Sequence, residues 1–235
     1  MRREAAHTST AVIIVAAGEG RRFGGDRPKQ FVDIDGRPML MLAVERIRQA
    51  MPGSKIIIAL HSAYFDMWHE LAAAHPDFDS SGITLTKGGA TRWESVHHAL
   101  KVVTDDVTTV MVHDAARPLV DAAVTDRLLE AVSRGARGAV PVVPVSDSLR
   151  IAGNGGSRAI DRSAFRAVQT PQAFPRAIIE QAYRQPYRDT FTDDASVVEA
   201  LYPDSIAMVE GSVNTIKLTH PADLAAIRYI LANEH

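Results

Sequence analysis

Cysteine is missing from this 235-residue chain. That excludes disulfides, thiolate metal sites and a cysteine nucleophile, and it agrees with a reducing, cytoplasmic setting. A charge excess is missing too: the formal net charge is −2, so neither nucleic acid nor an anionic membrane is expected as a partner. No apolar run approaches the ~18 residues of a membrane helix. Aromatics are 6% of residues, against 46% hydrophobic and 23% charged, the balance of a soluble globule with a sizeable core. Neither an internal repeat nor a low-complexity segment is present. The length fits one domain over residues 11–235, preceded by a flexible polar tail over 1–10 that lacks the apolar stretch of a signal peptide.

What is present is concentrated near the amino end. Val12-Ile13-Ile14-Val15 is a short β-branched run and reads as a buried strand. Ala16, Ala17, Gly18 and Gly20 follow. Small side chains there let a ligand lie against the backbone, and glycine lets successive N–H groups converge on an anion. Arg21, Arg22, Arg27 and Lys29 come next. A strand that ends in an amide-rich turn backed by cations is built to hold several phosphates. It is not a P-loop, because no Lys-Ser or Lys-Thr follows the glycines. It is not a dinucleotide fingerprint either: Phe23 stands at the third glycine position, and the run Lys55–Leu60 leads into His61 instead of an acid.

Strand and helix signals then alternate, which predicts an α/β fold: a Rossmann-like, mostly parallel twisted sheet with helices on both faces. Strands are expected at 55–60, 83–86, 109–112, 139–145 and 206–209. Helices are expected after Pro38 and over 63–74, 124–132, 175–183 and 221–232, with another opening at Thr192 as its N-cap. Pro141 and Pro144 demote parts of their strand from regular central pairing. The pattern breaks at about 146–167, where two short segments flank Gly153-Asn154-Gly155-Gly156 and read as a hairpin arm. A lone hairpin is unstable in water and must lie on something.

Two strand ends carry further chemistry. Gly88-Gly89 precedes Thr91-Arg92-Trp93-Glu94, a capping box that accounts for Thr91 and Glu94 by helix initiation alone. His97-His98 is not a metal pair, since adjacent helical side chains diverge by about 100°. The strand at 109–112 runs into His113-Asp114-Ala115-Ala116-Arg117-Pro118. Ligands gather at the carboxyl ends of parallel strands, so Asp114 can face the first loop. A carboxylate beside a triphosphate suits Mg²⁺, directly or through water; the structural alternative is a turn cap.

The run A-A-G-x-G-x-R with P-K-Q at Pro28–Gln30, together with V-H-D-A-A-R-P at Val112–Pro118, resembles the 2-C-methyl-D-erythritol 4-phosphate cytidylyltransferases of the non-mevalonate isoprenoid pathway. The likeness extends from Val12 to about Ile230. It implies attack by the acceptor phosphate on the α-phosphorus of CTP, release of pyrophosphate, a requirement for Mg²⁺ or another divalent cation, and a homodimer joined through the arm. On this likeness Arg22 and Lys29 stabilise the transition state and pyrophosphate, and Ala16, Ala17, Gly18 and Gly20 offer backbone to the nucleotide. Gly88, Gly89 and Ser95, from the family's G-G-x-x-R-x-x-S, meet the cytosine. Asp114 and Arg117 contact the acceptor or the metal. Arg162 of the partner's arm and Lys217 position the acceptor phosphate, and Ser148, Thr170 and Thr192 supply hydroxyls. Three positions depart from the family's habit: Val15 for a proline, Ala90 for an acid, and Ser148 for a threonine. Two rival readings share most of these features. One is a ribitol 5-phosphate cytidylyltransferase; the other is a non-catalytic nucleotide-binding subunit.

Removing one preorganised charge-stabilising donor costs ~10²–10³ in rate. Arg22→Ala and Lys29→Ala are each expected to lose at least that in turnover while staying folded; near-normal turnover in either folded variant would remove its role.

Overall fold

The computed structural model describes residues 6–18 and 28–233. Gly20, Arg21, Arg22 and Arg27 of the first loop lie outside them. The central sheet is built on β1 (Thr10–Ala16), whose alternate side chains enter two cores. Val12, Ile14 and Ala16 join one, Ala11 and Ile13 the other. Parallel neighbours flank β1: β4 (Lys55–Leu60) on one side and β6 (Thr109–Asp114) on the other. β5 (Ile83–Lys87) extends the sheet beyond β4, again parallel. Beyond β6 lie antiparallel β11 (Gln172–Pro175) and then β7 (Gly138–Pro144). β10 (Arg166–Val168) pairs antiparallel and β12 (Ile206–Glu210) parallel with β7. A two-stranded ribbon, β2 (Asp33–Ile34) and β3 (Arg37–Pro38), precedes the first long helix.

Helices cover both faces. α1 (Met39–Ala50), α2 (Phe65–Ala74) and α4 (Ala122–Ser133) pack with Trp68, Met41 and Leu128 on one core. α3 (Arg92–Leu100), α5 (Arg176–Ala182) and α6 (Asp194–Glu199) cover the other with Val96, Ile179 and Val198. The closing helix α7 (Pro221–Ala232) buries Ile227 against Leu119 and Leu218. No helix of the described residues is long and apolar enough to cross a membrane.

Three local expectations can be set against the structure, and the first and third need correction. The body starts before residue 11: residues 6–8 are helical, His7 is buried, and the Thr10 hydroxyl donates to the Ala6 carbonyl at 2.7 Å. Regular pairing of β7 is broken at Pro141 on one side, while β12 continues along the other. Between Val168 of β10 and Gln172 of β11 the neighbouring chain is interrupted opposite Pro141, so a missing N–H costs little there, while the Pro141 carbonyl accepts from the Gln169 amide at 2.8 Å. The N-cap of α6 is Asp193, not Thr192: its carboxylate accepts from the Ser196 amide, and Ser196 bonds back.

The arm is a separate ribbon of β8 (Leu149–Gly153) and β9 (Gly156–Ile160), in register from Leu149↔Ile160 to Gly153↔Gly156. Gly155 takes a positive φ of 84° in its turn.

Candidate active site

The order β6-β1-β4-β5 places a topological switch between β1 and β6: the chain steps from β1 outward to β4 and β5, then returns to the far side of β1. A crevice opens at the carboxyl ends of strands where the order reverses in this way. It is present here as a cavity of about 190 Å³ lined by Val15, Ala16 and Gly18 from β1, Ala115 and Ala116 after β6, and Lys29, Gln30 and Met39. Beside it the turn after β5 closes on the turn after β1. The Gly88 amide donates to the Leu60 carbonyl at 2.8 Å, and a Cβ on Gly88 would stand 2.2 Å from the Ala17 Cβ. Only glycine permits that approach. The Ser95 hydroxyl holds the same turn, accepting from the Gly89 amide and donating to the Thr91 carbonyl, each at 3.0 Å.

A second hollow of about 280 Å³ adjoins Asp114 and is lined by Arg92, Arg117, Thr170, Gln172, Thr192 and Lys217, among others. Asp114, only 14% exposed, carries a cation on each oxygen: Arg92 Nε at 3.2 Å from Oδ1, Lys217 Nζ at 2.8 Å from Oδ2. Burial would raise this carboxyl, but Arg92 and Lys217 outweigh it and hold the group far below the ordinary carboxylate range. Arg92 reaches the other way to Asp194, Nη2 to Oδ2 at 2.7 Å, and the Tyr183 hydroxyl donates to Asp194 Oδ1 at 2.6 Å. Asp194 is fully buried, so its charge depends on this pairing. Burial, then the nearby Asp194 charge, pushes the Tyr183 phenol well above its usual range, keeping it a donor. Arg117 Nη1 donates to the Thr215 carbonyl at 2.8 Å.

A model of the family described as 2-C-methyl-D-erythritol 4-phosphate cytidylyltransferase matches residues 10–233. The chain belongs to that family. A relative of that description from Porphyromonas gingivalis is 40% identical over 222 residues, covering 94% of this chain and 97% of its own. Another from Bacteroides fragilis is 39% identical, with 93% and 98% covered. A solved structure of the cytidylyltransferase from Thermus thermophilus superposes with a TM-score of 0.74 at 31% identity, covering 94% of this chain and 98% of that one. A synthase structure from Anaerococcus prevotii, 21% identical with a TM-score of 0.80, shares the fold.

Set against the resemblance to the cytidylyltransferases, the residues divide into five groups. Ala16, Gly18 and Lys29 line the first cavity; Asp114, Arg117, Thr170, Thr192 and Lys217 line the second. Ala17, Gly88, Gly89 and Ser95 form the wall between turns. Ser148 and Arg162 line neither. Ser148 is exposed at the base of the arm, and Arg162 bonds the Ser146 carbonyl in its own chain. Gly20 and Arg22 lie outside the described residues.

Arg92, Asp194 and Gln172 were missed. Arg92 is the fixed arginine of G-G-x-x-R-x-x-S, and the capping box explained its neighbours without asking where its side chain goes. Of the adjacent acids, Asp193 caps α6 whereas Asp194 pairs with Arg92. Gln172 joins them, donating to Asp193 at 2.8 Å and accepting from the Ala195 amide at 3.1 Å.

His113 is the buried imidazole behind Asp114, and desolvation pushes its pKa down from 6.5 to about 4. Between those values the unfolded chain takes up a proton that the folded chain refuses. Its contribution is therefore intact above about pH 6.5 and is lost as pH falls towards 4. From pH 7.5 to 5 the loss is expected to be about 2 kcal/mol. Urea unfolding at both pH values checks this: His113→Gln should weaken the pH dependence by about that amount, and an unchanged dependence would contradict it.

Proposed function

We infer that the chain transfers CMP from CTP to the phosphate of 2-C-methyl-D-erythritol 4-phosphate, giving 4-diphosphocytidyl-2-C-methyl-D-erythritol and pyrophosphate, a step of isoprenoid precursor biosynthesis. Membership of the family over residues 10–233 carries this reading, and the charged crevice at the β1/β6 switch agrees with it.

The reaction joins two anions, and the chain's part is electrostatic. A phosphate monoester has its second pKa at ~6, so the acceptor arrives already able to attack and needs no strong base. The triphosphate lies along Ala16, Gly18 and the cations Arg22 and Lys29, which take the charge that builds on phosphorus and on departing pyrophosphate. Gly88 and Gly89 leave room for the base against the backbone. Lys217 and Arg117 hold the acceptor phosphate from the opposite side, with Thr192 on the rim. Lys29 in one hollow and Lys217 and Arg117 in the other thus fix the line of attack, and positioning of this kind supplies much of the rate in phosphoryl transfer.

Among the described residues no three His, Cys, Asp or Glu side chains form a metal cage. A single ionised carboxylate facing substrate phosphates fits Mg²⁺, which keeps waters and takes one or two carboxylates plus phosphate oxygens. Asp114 would hold it directly or through water. Mg²⁺ bound there would neutralise phosphate charge.

The arm leaves both faces of β8 and β9 exposed, and Ile151 and Phe165 are exposed on and beside it. A two-stranded ribbon is marginal alone. A second copy of the chain covers it, forming a homodimer in which Arg162 of one subunit serves the acceptor site of the other. The setting is the cytoplasm.

Pyrophosphate release is to be measured with CTP and Mg²⁺ and with methylerythritol phosphate, ribitol phosphate or no acceptor. Release with the first alone is expected. Release with ribitol phosphate would move the acceptor assignment, and CTP binding without release would mark a nucleotide sensor. Mixing Arg162→Ala with Asp114→Asn subunits should restore part of the activity if the arm acts across the dimer. Failure to complement would return the arm to its own subunit.

A further inference from the structure

His113 and Thr170 stand behind the acceptor side of the cleft with every polar atom engaged. The His113 ring is fully buried, with Nε2 at 2.8 Å from the Arg117 carbonyl and Nδ1 at 3.1 Å from Thr170 Oγ1. Thr170, 5% exposed, accepts from the Asp114 amide at 3.0 Å. A carbonyl oxygen can only accept, so Nε2 carries the ring proton, and Nδ1 of the neutral imidazole is a bare acceptor. The Thr170 hydroxyl therefore donates to Nδ1 and keeps a lone pair for the Asp114 amide. All the donor directions follow from that one carbonyl.

We propose that His113 and Thr170 are positioning residues for the transfer, joined in one hydrogen-bonded chain that runs from the Asp114 amide through the Thr170 hydroxyl and the His113 ring to the Arg117 carbonyl. The chain spans the turn from Asp114 to Arg117, which is itself closed by the Arg117 amide on the Asp114 carbonyl at 2.9 Å. It also ties the end of β6 to the segment that leads into β11, where Gln172 pairs with Val112. Both side chains that face the acceptor, Asp114 and Arg117, are thus aimed by backbone that this chain holds at two points. Thr170 lies on the wall of the hollow and acts through the Asp114 backbone. The inference rests on the functional reading above, which supplies the acceptor.

The test compares His113→Phe, Thr170→Val, the double variant and Thr170→Ser, measuring kcat and KM for the acceptor with CTP and Mg²⁺. His113→Phe keeps a buried ring and removes both bonds. Each of the first two should lose at least about tenfold in kcat/KM for the acceptor. The double variant should fall no more than about threefold below the worse single, because the two residues act as one unit. Thr170→Ser should recover most of what Thr170→Val loses, and CTP affinity titrated without acceptor should stay within about threefold of the parent. Losses that multiply, equal losses in Ser and Val, or a folded His113→Phe with parental kcat/KM would overturn the proposal. Should His113→Phe not fold, the Ser and Val pair decides. An active parent with unaffected variants overturns this inference alone; an inactive parent overturns the functional reading and this inference with it.

Discussion

The Asp114 carboxylate, held between Arg92 and Lys217 at the carboxyl end of β6, is the interaction the site depends on. An ionised group this enclosed persists only when its charge is matched. The match comes from distant parts of the chain, Arg92 at the start of α3 and Lys217 just before α7. The carboxylate can therefore be enclosed as an anion only when all three segments are in place. In return, the charge pins three otherwise separate segments around one cleft.

The same logic continues one step deeper. Arg92 is shared between Asp114 and the fully buried Asp194, and Asp194 also takes the Tyr183 hydroxyl. Arg92 could not be replaced by lysine on equal terms, because one planar guanidinium serves two carboxylates in different directions. Breaking a buried pair of this sort by removing one partner costs ~3–5 kcal/mol, since the remaining charge has no water to turn to. Two carboxylates and two cations thus form the back wall of the hollow beside Asp114.

Much of the fold is legible in the sequence because strand and helix periods differ and the glycine turns interrupt them. β4 and α7 fall on their expected residues, and the β1 signal is short by only a few positions. The misses have local physical causes. At β7 the missing Pro141 donor is tolerated because the partner strand is interrupted opposite it. Thr192 and Asp193 are both residue types that cap well, and only the turn geometry makes Asp193 the cap. Within the site, motif residues on the strand ends could be read in place. Arg92 and Asp194 could not, because their contact spans 102 positions. Ser95 and Thr170 show the converse: both are polar residues of recognisable motifs, yet their hydroxyls are spent inside the protein.

The central claim is spatial: CTP lies at the β1/β6 switch with its α-phosphate turned towards Asp114. The most direct measurement is a crystal structure of the chain soaked with CTP and Mg²⁺. The account predicts the triphosphate against Ala16, Gly18 and Lys29, with the base beside Gly88 and Gly89. A nucleotide seated instead in the separate hollow between His97, Lys101 and Arg176 would contradict it.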